Sequence, residues 1–341
     1  MKKCTINNNV INNIIIIILI LLSITEIIPI VLTIFIPSLC YGCTSIGKLQ
    51  QYLNSKYNLG YISSFAFILL IIYFIYLCSL FKNNYIKYSF IFLLFCLIYI
   101  STIPILNIFS IILTLHYHNP PFIKNYYDIF PSSINIEKNA NMIIHEFNNY
   151  IKDNKPDCIR KLNPGFKIEI NNTENTENCW RALYLKKIGV IDNNLKKYFP
   201  NTLNLLHDDQ IHNAFFSILD PGVEIPPHVG YYKGYLRYHL GIIIPNNNTN
   251  NINDKAYIVC GEEKYIWKQK KGIVFDDIYL HHVKNPTNQL RVVFYIDVIR
   301  KSNNIIFEKI NNLGIFYIEN SVALNYFLKN QHTQNKIHDL E

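Results

Sequence analysis

Apolar side chains run almost unbroken through the first third of this chain and are interleaved with polar ones through the rest. Three stretches, about 14–37, 62–81 and 88–115, hold a single charged residue between them, Glu26. Each approaches or exceeds the roughly 20 residues that cross a bilayer core as a helix. A helix with no polar face over that length has nowhere to hide in a water-soluble core, so the pattern predicts three transmembrane helices. Lys2 and Lys3 precede the first run as in a secretory signal. That run is nevertheless longer than an h-region of about 7 to 15 residues and two more follow, which favours an uncleaved anchor. Residues 1–118 are thus expected to form the membrane region of a multi-pass protein.

Beyond that region the period changes. Residues 119–155 read as a linker, with Pro120 and Pro121, followed by a helix over Ile134–Lys152 with spaced Ile, Met and Phe. From 156 to 304, short runs of β-forming residues recur between turn residues: 180–185, 214–219, 235–244, 256–260, 263–267, 272–275, 281–283 and 290–299. Many short strands at such spacing indicate an all-β sandwich or barrel. The tail, 305–341, is too mixed to be a fourth span.

Composition adds less than pattern. The net charge of +8 is spread along the chain. No basic helix or basic-aromatic interleaving is present, which argues against a nucleic-acid partner. Lys2, Lys3, Lys82 and Lys87 stand on one side of the expected spans against Lys48, Lys56 and Lys124 on the other. That bias favours a cytoplasmic amino terminus and a lumenal or extracytoplasmic second domain. Sequons at Asn171 and Asn247 agree with that side. Cys158 with Cys179 is the expected bridge, leaving Cys260 as a spare thiol, whereas Cys40 and Cys43 form a C-x-x-C pair without the strand-to-helix context of a redox motif.

The candidate chemistry lies on the strands. His228 sits in Pro226-Pro227-His228-Val229-Gly230, where two prolines stiffen the approach, and His281 opens a strand-like segment. Arg291 follows ten positions later, beyond a turn at Asn285-Pro286, at the start of an apolar strand. An antiparallel hairpin of that length is expected to bring His281 and Arg291 together. Two neutral imidazoles from separate strands hold iron or zinc with coordination positions left open. An arginine buried beside them needs an anion and pairs bidentately with a carboxylate. The combination suits Fe(II) and a dicarboxylate such as 2-oxoglutarate. Alternation in Leu236-Arg237-Tyr238-His239-Leu240 sends Arg237 and His239 to one face; taken alone, the segment reads as a half-exposed strand. A carboxylate ligand close to His228 is expected in a two-histidine, one-carboxylate site, yet position 230 is Gly.

Ser217, Pro221-Gly222, His228-Val229-Gly230, Arg237-Tyr238-His239-Leu240-Gly241, Ile244-Pro245, Phe275-Asp276-Asp277, His281 and Arg291 together resemble the signature of the aspartyl/asparaginyl β-hydroxylase family, which includes lipid A 2-hydroxylases. The resemblance covers about Trp180 to Asp297. It implies a double-stranded β-helix of the jelly-roll or cupin-like kind, in which His228 and His281 bind Fe(II) and Gly replaces the ligand carboxylate. It further implies that Arg291 and Ser217 hold 2-oxoglutarate, that Trp180, Arg237 and His239 line the cosubstrate and substrate pocket, and that Asp276 or Asp277 orients a ligand. The expected function is that of a membrane-anchored dioxygenase acting on the β-carbon of Asp or Asn in a protein. The alternatives are hydroxylation of a lipid acyl chain, a cupin-like binding protein without turnover, and a zinc hydrolase built on the same histidines.

Overall fold

Valine, isoleucine, phenylalanine and tyrosine crowd the segments that pair into sheets, because β-branched and aromatic side chains pack best on a pleated, half-buried surface. The computed structural model describes residues 102–156, 158, 178–245 and 255–321, with scattered positions between 69 and 92. The expected span at 14–37 lies outside these residues, as does most of that at 62–81 and the middle of that at 88–115. Among the described residues no helix is long and apolar enough to cross a membrane. The chain divides into two compact units, one of Met1–Phe109 with Phe316–Glu341 and one of Ser110–Ile315. The second carries both sheets.

Helix α1 (Thr102–Thr114), whose residues from Ser110 on belong to that unit, leads into strand β1 (Phe122–Ile123), and three helices follow: α2 (Tyr126–Ile129), α3 (Ser132–Lys138) and α4 (Ala140–Asp153). The linker is therefore not bare chain, since β1 adds an edge to a sheet. The helix expected over Ile134–Lys152 is interrupted at Asn139. Strands β2 (Trp180–Lys187) and β3 (Val190–Ile191) precede helix α5 (Pro200–Asn204). Then come β4 (Ile211–Leu219), β5 (Glu224–His228), β6 (Tyr235–Ile243), β7 (Tyr257–Cys260), β8 (Glu263–Ile266), β9 (Gly272–Phe275), β10 (His281–Lys284), β11 (Arg291–Ile299) and helix α6 (Ile305–Asn320).

The strands form two antiparallel sheets, one in the order β1-β9-β6-β11-β4-β2-β3 and one in the order β5-β10-β7-β8. Together they make a two-sheet antiparallel β-sandwich. Alternation along each strand divides the large sheet between two cores. Phe216, Ile218, Leu240, Ile242, Phe294 and Ile296 pack behind it against Phe130, Ile143, Phe147 and Phe199 from the helical side. Leu219, Ile273, Phe275 and Val293 point the other way, onto Ile225, Ile258, Cys260 and Val283 of the small sheet. Burial of both faces leaves β6 without the half-exposed surface that its alternation alone suggests.

One expectation about topology fails. His281 and Arg291 do not share a hairpin, because β10 belongs to the small sheet and β11 to the large one. The turn between them is anchored across the sandwich. Asn285 Nδ2 donates to the carbonyls of Leu219 (3.0 Å), Asp220 (3.2 Å) and Gln289 (2.8 Å), so the chain changes sheets instead of folding back on its own strand.

Candidate functional site

The two histidines meet across a strand pair. His281 on β10 is the direct partner of His228 on β5, and their rings lie 4.1 Å apart between centroids. Each ring is fixed through Nδ1, which bonds the carbonyl of Pro226 at 2.8 Å for His228 and of Tyr279 at 2.9 Å for His281. A backbone carbonyl accepts only from a protonated Nδ1, which makes Nε2 the basic nitrogen of both rings, the tautomer suited to metal ligation. Burial, and then the neighbouring ring, hold His228 down to about 3, and burial holds His281 down to about 4. Both are therefore neutral at physiological pH.

Gly230 explains the missing carboxylate. Its N–H donates to the Asp277 carbonyl at 2.6 Å, and a Cβ built on it falls 2.2 Å from Asp277 Oδ2. The volume that a side chain at 230 needs is filled by a carboxylate arriving from the β9–β10 loop. Asp277 Oδ2 accepts from Arg237 Nε at 2.7 Å, while Oδ1 is buried with no hydrogen-bond partner among the described residues. Asp276, the neighbouring acid, plays a different part. It is fully buried between Lys233 Nζ at 2.7 Å and Arg300 at 2.6 Å. Of the two aspartates, Asp277 lies against the histidine loop, whereas Asp276 ties the end of β9 to Lys233 ahead of β6 and to Arg300 just after β11, all in the large sheet.

Arg291 is 1% exposed, and no carboxylate lies within ion-pair distance of it among the described residues. Its guanidinium donates to the Ser217 carbonyl at 3.2 Å, reaches Ser217 Oγ at 3.5 Å, and sits 4.6 Å over the ring of Trp267. Its Nε has no hydrogen-bond partner among the described residues, and burial lowers its pKa to about 9. A buried cation in that condition is costly unless an anion joins it. Trp180 Nε1 donates to Ser217 Oγ at 2.9 Å, which places the tryptophan beside the arginine. His239 is buried with neither ring nitrogen hydrogen-bonded, and burial followed by the charges of Arg291 and His281 drives its pKa well below the ordinary value.

The structure therefore gathers His228 with His281, and Arg291 with Ser217 and Trp180, with His239 electrostatically coupled to both groups. Arg237 behaves differently from its neighbours. Its Nε and Nη1 are taken by Asp277 and Asp297. Trp267, Asp297 and Tyr295 are missed by sequence reasoning. Trp267 carries the one available signal, as one of only two tryptophans in the chain.

Among the described residues no cluster of three or more His, Cys, Asp and Glu is placed to hold a metal. The donor set is two imidazoles, with the orphaned Asp277 Oδ1 nearby. It fits a divalent metal of borderline softness whose remaining positions go to non-protein ligands. The unpartnered Arg291 fits a carboxylate on the same molecule that ligates that metal.

A model of the family described as Aspartyl/Asparaginyl beta-hydroxylase matches residues 137–301. An ornithine lipid ester-linked acyl 2-hydroxylase from Rhizobium tropici is 35% identical over 129 residues, which is 38% of this chain and 44% of that protein. An aspartyl/asparaginyl beta-hydroxylase from Mus musculus is 34% identical over 83 residues, 24% of this chain and 10% of that protein. The aspartate beta-hydroxylase domain-containing protein 2 of Xenopus tropicalis is 32% identical over 174 residues, 48% of this chain and 43% of that protein. The chain spans less than half the length of each of these relatives. The matched stretch holds both histidines, Gly230, Asp277 and Arg291, so over residues 137–301 the chain is similar to the aspartyl/asparaginyl β-hydroxylase family in the residues of the candidate site.

Proposed function

We propose that this protein is an Fe(II)- and 2-oxoglutarate-dependent oxygenase that hydroxylates a C–H bond of a substrate held beside His228 and His281. The observation that carries this reading is Arg291, a buried guanidinium with no carboxylate partner, set into the same sandwich as two neutral, carbonyl-anchored imidazoles. A hydrolytic metal site has no use for that arginine. A dicarboxylate cosubstrate does.

Iron and 2-oxoglutarate, when bound, supply the oxidising chemistry: one oxygen atom of O₂ enters the substrate as hydroxyl and the other enters succinate, with release of CO₂. The chain supplies position. His228 and His281 would hold the iron through Nε2, while Arg291 and Ser217 Oγ would hold the distal carboxylate of 2-oxoglutarate, with Trp180 and Trp267 fixing the hydroxyl and the guanidinium. His239, whose ring nitrogens are buried without a partner among the described residues, would line the cosubstrate pocket. The sandwich excludes water, which strengthens each of these charge-assisted contacts. Asp277 holds Gly230 through its carbonyl, and its buried Oδ1 would be available to accept a hydrogen bond from a bound ligand.

The relatives named for protein aspartate and for lipid acyl groups support the reaction class, C–H hydroxylation, on either kind of substrate. The protein expressed with Fe(II) and 2-oxoglutarate is expected to release succinate under oxygen, and His228→Ala or His281→Ala to reduce that release at least tenfold. Unchanged succinate release in both variants would leave the reading without support.

A further inference from the structure

Helix α6, which belongs to the Ser110–Ile315 unit through Ile315, is anchored inward by polar contacts and carries apolar side chains outward. On the inward side Asn311 is fully buried. Its Nδ2 donates to the carbonyls of Arg300 at 2.8 Å and Gly234 at 3.3 Å, and its Oδ1 accepts from the Tyr232 hydroxyl at 2.8 Å. Gly314, three positions on, makes room for that hydroxyl, since a Cβ there falls 2.0 Å from its oxygen. These contacts fix the rotation of the helix about its own axis. On the outward side Ile305, Ile306 and Leu313 are 65%, 62% and 53% exposed. With about 3.6 residues per turn, the three fall within an arc of roughly 100° that also holds the exposed Lys309. The water-facing side of a helix is ordinarily its polar one, and this side is not. A rotation that hid the aliphatic side chains would leave the Asn311 amide unpaired in the interior, so they stay outward.

The end of α1 meets the start of this helix. The His116 ring stacks on Phe307 with centroids 4.3 Å apart, and its Nε2 lies 2.7 Å from Ser302 Oγ. Ile111 and, four positions on, Leu115 are exposed at this end of α1. Between Lys301 and Ile315 the exposed charges are Lys301 and Lys309, both cationic, whereas Glu308 is half-buried and accepts from the backbone N–H of Ser302 at 2.7 Å.

Three observations favour a lipid bilayer over another protein as the partner of this surface. Helix α1 is the last stretch of the apolar run over about 88–115, so the chain arrives at the start of α6 directly from that run. The exposed charges are cationic, which suits anionic headgroups. The surface is also small: a stable protein–protein face takes roughly 20–30 residues a side, whereas the apolar contribution here is Ile111, Leu115, Ile305, Ile306 and Leu313. An interfacial helix needs only an apolar stripe with a cation beside it.

We infer that α6 docks the sandwich unit onto a phospholipid bilayer, with Ile305, Ile306 and Leu313 in the boundary between headgroups and acyl chains and Lys309 reaching to anionic headgroups. At 16 residues the helix is short for a span, and its buried polar side keeps it in the membrane plane. The surface lies outside the candidate site, and the inference does not depend on the oxygenase reading.

The test is fluorescence of the full chain reconstituted into vesicles of phosphatidylcholine and phosphatidylglycerol, with and without bromine on the acyl chains close to the headgroups. Leu313→Trp adds an emitter on the outward side of α6, and the emission of the unsubstituted protein, from Trp180 and Trp267, is subtracted. Brominated lipid is expected to quench the added emission at least twofold. Ile306→Glu in the same chain puts a charge on the stripe and is expected to reduce the quenched fraction at least threefold. Quenching below twofold overturns the inference. So does quenching that survives Ile306→Glu, which would mean that the anchor alone brings the helix near the bilayer. A blue-shifted emission that brominated lipid leaves unquenched assigns the face to protein, a second copy or another segment of this chain, and overturns it as well. Should the doubly substituted chain fail to fold, Leu313→Trp alone decides. Because neither iron nor 2-oxoglutarate is added, the outcome is independent of whether the loaded protein releases succinate.

Discussion

Arg291 and Lys187 are two buried cations under opposite obligations. Arg291 stays charged at any physiological pH and is met, among the described residues, by a carbonyl, a hydroxyl and an aromatic face, so without an anionic ligand its charge is uncompensated. Arg291→Met removes that burden together with the carboxylate anchor. The expected result is a cosubstrate-free protein of equal or higher melting temperature, whose stabilisation by added 2-oxoglutarate is abolished; a melting curve with and without the ligand reads both. Lys187 resolves the same problem by shedding its proton, since burial lowers its pKa from 10.5 to about 7 despite Asp192. Below pH 7 both folded and unfolded chains hold the proton and the folded one bears the full cost of burying it. Between 7 and 10.5 only the unfolded chain holds it, so this residue adds stability as pH rises, on the order of a few kcal/mol over the whole window. The wild-type melting temperature is therefore expected to climb more between pH 7 and 9.5 than that of Lys187→Met. Equal slopes would show that the lysine keeps its charge.

At the scale of elements, the strands that alternate cleanly were legible in sequence and the ones that break a rule were not. The run at Leu290 to Ile299 reads as a strand and is β11; the run after Pro286 does not disclose that it joins the other sheet, because the anchoring of Asn285 to Leu219 and Asp220 is a contact between residues far apart in sequence. Strand β5 is hidden for a different reason. Pro226 and Pro227 cannot donate to a ladder, which demotes the segment in any sequence reading, yet β5 lies at the edge of the small sheet, where a missing donor is tolerated. His228 and His281 were identifiable as metal-ligand types, but their direct pairing depends on that edge. Likewise, Arg237 was expected to line the pocket, and its capture by Asp297 sixty positions on carries no local signal. The bridge between Cys158 and Cys179 shows what such long-range ties do, with its Cα atoms 5.8 Å apart and the backbone N–H of Cys179 donating to Asp220 at 2.9 Å. Cys158 also bridges Arg181, whose guanidinium meets Asp220 at 3.0 Å, so Trp180 is held from both neighbours. Closing a loop of this size contributes about 3 kcal/mol. Replacing both cysteines with serine is expected to lower the melting temperature and, by loosening Trp180 against Ser217, to weaken 2-oxoglutarate binding severalfold. A titration in which affinity is retained would confine the bridge to stability.

For the whole molecule, three features of separate origin bear on which side of a membrane the β-sandwich works. The lysine bias across the apolar runs bears on insertion, the sequons at Asn171 and Asn247 are sequence signals that lie outside the described residues, and the Cys158–Cys179 bridge is a property of the folded unit itself. The bridge persists where thiols are not kept reduced, outside the cytosol. Cys260 fits the same picture without taking part, as a buried thiol raised well above its ordinary range by burial and then by Asp277 and Asp276. A raised thiol is a poor nucleophile, so it does not shuffle the bridge. On these grounds we propose that the β-sandwich works outside the cytosol, tethered by the apolar amino-terminal third. In sealed vesicles with the cytoplasmic face outward, a carboxy-terminal tag is then expected to survive added protease until detergent opens the membrane, and the tagged protein is expected to resist thiol alkylation at Cys158 and Cys179 unless reduced first. Cleavage of the tag before detergent, with both cysteines alkylated directly, would put the unit in the cytosol and with it the substrate.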